Sequence, residues 1–144
     1  MIRVAGVFSF WGNDEDMNTS TLHMALVFLG GGLGATSRYW LSGFVHQKLG
    51  NGFPYGTLAV NALGCLLIGV LMTAMEERFL MNPSFRIFFA MGILGGFTTF
   101  STFSFETISM LRDGQFLYAS ANILVSLLTC LFGTWIGMQA GKLL

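Results

Sequence analysis

Polar and charged positions along the chain gather in a few short clusters, and long apolar stretches lie between them. The first stretch runs about 24–46 and ends before the turn Asn51-Gly52-Phe53-Pro54. The second runs about 56–77, and Glu76-Glu77-Arg78 with Asn82-Pro83 mark the next break. The third, about 84–111, is closed by Arg112-Asp113-Gly114, and the fourth runs about 115–141. A helix crosses a bilayer with roughly 20 apolar residues, so each stretch is long enough to span. The pattern predicts an all-α membrane protein, a bundle of four transmembrane helices joined by short loops. The third stretch is too long. Its 28 residues would make an unbroken helix of about 42 Å in a hydrocarbon core of about 30 Å, so it must tilt, protrude or break.

Composition narrows the class. Charged residues are 10% of the 144 and hydrophobic ones 53%, with a mean hydropathy of +0.67. Soluble domains carry about 25% charged residues, so a water-facing shell is excluded, and so is disorder. Seven Lys and Arg balance seven Asp and Glu, which leaves no basic stripe for nucleic acid. Cys65 and Cys130 lie inside apolar stretches without metal-like spacing and read as buried small hydrophobes. His23 and His46 sit near predicted helix ends, where a solvated or headgroup role is expected. No HExxH, phosphate-loop, GxSxG or CxxC motif occurs, so no enzyme is expected.

Residues 1–22 differ from the rest, because a short apolar patch, Val4 to Phe10, precedes the acidic run Asp14-Glu15-Asp16. The patch is too short to span, and the acidic run suits neither a signal nor a transit peptide. We expect a leader outside the core, or a start at Met17 or Met24, with 23–144 as the four-helix transmembrane domain. Gly30 and Gly34 in the first helix, and Gly133, Gly137 and Gly141 in the fourth, recur at four-residue spacing. Lipid gives helices no hydrophobic reason to associate, so such stripes are expected to pack backbones closely. Arg3, Arg78, Arg86 and Lys142 fall on one side of the bundle, with Arg38, Lys48 and Arg112 toward the other. So even a spread addresses neither orientation, and it predicts an antiparallel homodimer of subunits inserted both ways up.

Polar groups inside a span are costly and therefore informative. Asn61 lies about a turn into the second helix. In the third, Gly95-Gly96-Phe97-Thr98-Thr99-Phe100-Ser101-Thr102-Phe103 is a poor helix interior. It predicts a local break whose freed carbonyls point to a cation site. Phe100 and Phe103 would share one face just beyond it, their positive ring edges suited to an anion. Tyr118, Asn122 and Ser126 form a one-sided ladder of neutral donors on the fourth helix, with Thr129 a turn further on. Arg38 is a cation inside a span, read as snorkelling or as marking a vestibule. Glu106 is expected to be capped or paired near the end of the third helix. Neutral donors and aromatic edges suit a small anion that must also be able to leave.

Three ordered motifs carry a resemblance: Gly31 to Tyr39 (GGLGATSRY), Gly56 to Cys65 (GTLAVNALGC) and Gly92 to Phe105 (GILGGFTTFSTFSF). Over about 24–141 the chain resembles the Fluc family of fluoride channels, also called CrcB. The resemblance implies a dual-topology antiparallel homodimer in the plasma (inner) membrane, with two pores that let accumulated fluoride leave passively. It implies a structural sodium ion at the dimer interface, held by the backbone carbonyls of Gly95 and Thr98 of each subunit. It places Asn61, Phe100 and Phe103 on the pore, with Ser101 and Thr102 beside them and Tyr118, Asn122 and Ser126 as a polar track. Arg38 falls near a vestibule. Asn122 departs from the serine common in the family, and the leader has no counterpart. The partners implied are fluoride, a second copy of the chain and membrane lipid. Two other classes share the four-helix form. A proton-coupled small multidrug exporter needs a carboxylate deep in the first helix, where this chain has none. A non-transporting membrane assembly protein would explain the glycine spacing alone.

Overall fold

The computed structural model describes residues 17–77 and 82–143, which are helical throughout apart from short connections. Helix α1 spans Met17–Leu49 and α2 spans Tyr55–Glu77. Short α3, Pro83–Arg86, opens the third rod, followed by a π-helical segment, Ile87–Leu94, and by α4, Gly95–Phe97. Helix α5 spans Phe100–Arg112, and α6 spans Phe116–Gly141. Most of the stretch expected to be leader, with Arg3 and its charges, and likewise Arg78, lie outside the described residues. Met17 to Leu22, placed with that leader by the sequence pattern, form the first turns of α1.

Local chemistry explains the ends. Gly50 follows α1 with φ +79° and Gly114 follows α5 with φ +72°, a left-handed conformation that glycine adopts without a Cβ penalty. At the start of α3, Asn82 Oδ1 accepts from Ser84 N at 3.0 Å with Pro83 at the first helical position, the usual cap chemistry.

Three helices, Tyr55–Glu76, Pro83–Arg112 and Phe116–Gly141, are long and apolar enough to cross a membrane. Together with the outward apolar surface they make this an integral membrane protein. The fourth expected span, α1, has ample length at 33 residues but does not join those three. Its glycine run and Thr36-Ser37-Arg38 dilute its apolar character. Large apolar side chains point outward, Phe28 at 80% and Leu117 at 81% exposure, as a protein dissolved in lipid requires.

The rods associate through glycine, as the stripes predict. A Cβ on Gly34 would run into Ile93 O, and one on Gly30 would sit 2.7 Å from Phe88 O. Gly96 meets Gly31 in the same seam. On the other side, Gly137 presses on Leu66 O, and a Cβ on Gly141 would sit 2.7 Å from Val70 O. Contacts advance together along both chains in each seam, so α1 runs parallel to the π-helical segment and α4, and α2 runs parallel to α6. The up-and-down connection of the rods requires this pairing.

Candidate functional site

The third rod changes conformation at two threonines. Thr98 (φ −80°, ψ 159°) and Thr99 (φ −152°, ψ 111°) are extended between α4 and α5. In hydrocarbon, a backbone group that leaves the helical ladder needs another partner, and here the partners come from three elements. Asn61 on α2 accepts from Thr99 N through Oδ1 at 2.8 Å and donates from Nδ2 to Thr99 O at 3.0 Å. Its amide thus pairs with Thr99 as a neighbouring strand would. Arg38 on α1 donates from Nη1 to Thr98 O at 3.1 Å. Thr99 Oγ1 caps α5 by accepting from Thr102 N at 3.2 Å. Thr99 N–H is diverted to Asn61, which leaves the Gly95 carbonyl without the donor an unbroken helix would give it.

Beside the break lies a cavity of about 530 Å³, and none of the side chains lining it is charged. Asn61, Gly95, Thr98, Phe100, Phe103 and Ser126, all picked out from sequence, meet on its wall. The Phe100 and Phe103 rings are 5.5 Å apart between centroids and tilted by 45°, and Phe100 is 79% exposed. At the first turn of α5, the Thr99 hydroxyl lies 3.2 Å from that of Ser101 and 2.9 Å from that of Thr102. This hydroxyl cluster sits at the positive end of a 13-residue helix.

Other expected residues fall elsewhere. Arg38 reaches the break only through the Thr98 carbonyl, so its charge is tied inward rather than snorkelling. Ser101 and Thr102 turn to Thr99 and do not line the cavity. Tyr118 is half exposed outside it, and Asn122 is 1% exposed between helices. Asn122 Nδ2 donates to Thr107 Oγ1 on α5 at 2.9 Å, and Asn122 Oδ1 accepts from Ser126 Oγ at 3.3 Å. That residue ties α6 to α5 and orients Ser126. Asn122→Ala is therefore expected to lower stability by about 1–2 kcal/mol, read as a lower thermal midpoint in detergent; an unchanged midpoint would overturn the role.

Glu106 is paired, as expected, with a partner the sequence did not name, and the role of Thr99 escaped the sequence. Thr57 Oγ1 donates to Glu106 Oε1 at 2.9 Å, while Glu106 Oε2 is buried without a partner. Thr99 supplies both the cap and the pairing edge of the break. An acid within an apolar stretch was the signal that Glu106 needs a partner. Nothing local marks which of two adjacent threonines turns toward α2.

Residues 25–138 match the sequence profile of the family described as "CrcB-like protein, Camphor Resistance (CrcB)". The chain belongs to the CrcB family. Among its relatives, a protein of Geotalea uraniireducens named "Fluoride-specific ion channel FluC" is 51% identical over 114 residues, covering 79% of this chain and 92% of the relative. Proteins of the same name from Geotalea daltonii (48% identical; 81% of this chain, 96% of the relative) and Citrifermentans bemidjiense (49%; 84% and 98%) match similarly. The family is one of ion channels rather than enzymes. The CrcB stretch takes in every residue lining the cavity beside the break.

Proposed function

We propose that the chain is a fluoride-selective channel that lets accumulated fluoride leave the cytoplasm passively. The working unit is an antiparallel homodimer of oppositely inserted subunits in the plasma (inner) membrane. The observation that carries this reading is an uncharged cavity beside a pinned helix break, in a chain half-identical to proteins named as fluoride channels. Fluoride is small and hydrogen-bonds strongly, so leaving water requires replacement donors. A cationic side chain in direct contact with the ion would hold it too tightly for conduction. The Ser126 hydroxyl hydrogen is taken by Asn122 Oδ1, and the hydroxyl cluster at the start of α5 supplies donors beside the cavity. Asn61 has two amide hydrogens, of which Thr99 O takes one, leaving the other for an ion. The ring edges of Phe100 and Phe103 add weak positive potential without a charge.

A second copy gives sense to several features. Phe100 stands 79% exposed on a single chain, and the near-even spread of Lys and Arg suits both orientations. The proposed structural sodium fits the all-oxygen chemistry at the break. Gly95 O has lost its helical donor, and Thr98 O keeps a second lone pair beside the one that Arg38 engages. Both carbonyls are hard, neutral ligands, and one chain supplies too few, so the ion would belong to the interface of two chains. Its charge would draw anions toward the break. A multidrug-type exporter lacks support, because α1 carries no Asp or Glu.

Purified protein in liposomes is expected to release fluoride rapidly with a potassium ionophore present, and chloride hardly at all. Equal release of both ions would overturn the selectivity. Phe100→Ile should slow fluoride release by about tenfold or more, roughly 1.4 kcal/mol of barrier, without loss of the dimer, and undiminished release would remove Phe100 from the pathway.

A further inference from the structure

Cys65 and Cys130 stand on the wall of the same cavity. Cys65 lies one helical turn beyond Asn61 on α2, and Cys130 lies one turn beyond Ser126 on α6. The pairs Asn61/Cys65 and Ser126/Cys130 thus form matching stripes at i and i+4. Helices α2 and α6 close on each other just beyond Cys130, where a Cβ on Gly133 would lie 4.0 Å from Cys65 Cβ. The thiols are both free and half-buried.

We propose that Cys65 and Cys130 form a two-thiolate site for a soft divalent cation, and that occupancy of this site plugs the cavity beside Asn61 and Ser126. Thiolate is the soft ligand among protein side chains. With no charged side chain on the wall, the net charge of the complex decides which metal is tolerated. A monovalent ion on two thiolates would leave one negative charge in a medium that penalises it, whereas a divalent ion leaves none. Zinc seeks four ligands, and the neighbouring amide and hydroxyl are poor third and fourth donors. The mercuric ion is content with two sulfurs in line. Delivered as neutral HgCl2, it reacts with two thiols to give Hg(SR)2, two protons and two chloride ions, with no change of oxidation state.

This inference rests on the channel reading only for its effect on flux, so metal binding is measured separately. After reduction and removal of the reductant, native mass spectrometry of the intact protein with HgCl2 is expected to show one mercury per chain with two protons lost. Both thiols should disappear together from a thiol titration. The chelate should resist excess glutathione, while Cys65→Ala and Cys130→Ala, each first shown to elute as the wild type does, should release mercury about a hundredfold more readily. Two mercury ions per chain, or ready loss to glutathione from the wild type, would overturn the chelate without recourse to any variant. In liposomes, HgCl2 should cut fluoride release of the wild type about tenfold, and both variants should be blocked far less. Chelation with undiminished release would overturn the plug. Absence of fluoride release before mercury is added would count against the channel reading instead, and the mass measurement would still judge the thiol site.

Discussion

Gly34→Val is expected to lower stability by about 3 kcal/mol or more and the thermal midpoint in detergent by roughly 10 °C or more. At Gly34 a Cβ would collide with Ile93 O and lie 2.8 Å from Phe97 N. Both are backbone atoms, and neither can swing away as a side chain would. Relief requires α1 to move off the π-helical segment and α4, which opens the seam in which Gly30 meets Gly92 and Gly31 meets Gly96. Without a hydrophobic drive in lipid, this close contact is itself the source of association. Gly32, two residues away, has nothing within 4 Å of its Cβ position. Gly32→Ala should therefore hold or slightly raise the midpoint, since alanine favours helix over glycine by about 1 kcal/mol. Equal midpoints for Gly34→Val and the wild type would show that this seam does not hold the fold.

Asn61→Leu should reduce fluoride release by about a hundredfold, roughly 2.7 kcal/mol of added barrier, while most of the protein stays folded. Leucine is close to asparagine in size but offers Thr99 neither donor nor acceptor. Two backbone groups then stand unpartnered in the membrane, an arrangement that would cost about 1–3 kcal/mol for each. The chain has a way to avoid this, because Thr99 N–H can return to the Gly95 carbonyl and extend the helix. Global stability should consequently fall by only about 1–2 kcal/mol, near the value found for buried polar contacts between membrane helices. The break is what suffers, together with the cap that Thr99 gives α5. Hydrogen exchange at Thr99 and at the capped Thr102 should change while the remainder of α5 does not. Wild-type release from Asn61→Leu would remove this residue from both the break and the pathway.

Much of this architecture was legible in one dimension. Alternating apolar runs and turn clusters placed the rods within a few residues of α2, of the third rod at Pro83–Arg112 and of α6, because span length is fixed by the thickness of the hydrocarbon core. The first rod was the least well bounded. Helix α1 reaches back to Met17 and on to Leu49, since polar residues outside the apolar run continue a helix as readily as they end it. Glycine spacing also translated directly into seams, for a residue without a Cβ has one evident use where backbones must meet.

Pairings across the fold were another matter. Periodicity put Asn122 on a ladder with Tyr118 and Ser126, yet Thr107 of α5 occupies the space in front of it and takes its amide. Arg38 carried a charge that any reading would send toward water, but Thr98 O offers it a nearer partner. Neither outcome is written in spacing along one helix, because each depends on what the neighbouring rod presents at that height.

By itself, then, the sequence determined that this is a membrane-spanning CrcB chain of helical rods, neutral in charge and cut to the thickness of a bilayer. Those properties follow from the solvent, which penalises every exposed charge and unpaired backbone group alike. Only the tertiary structure decided how the interruption of the third rod is satisfied. Asn61, Arg38 and Thr99 come from separate stretches, and hydrogen bonds form only where packing brings donor and acceptor within about 3 Å. The balance of seven against seven charges excludes classes of protein; the uncharged wall beside the break is made by folding.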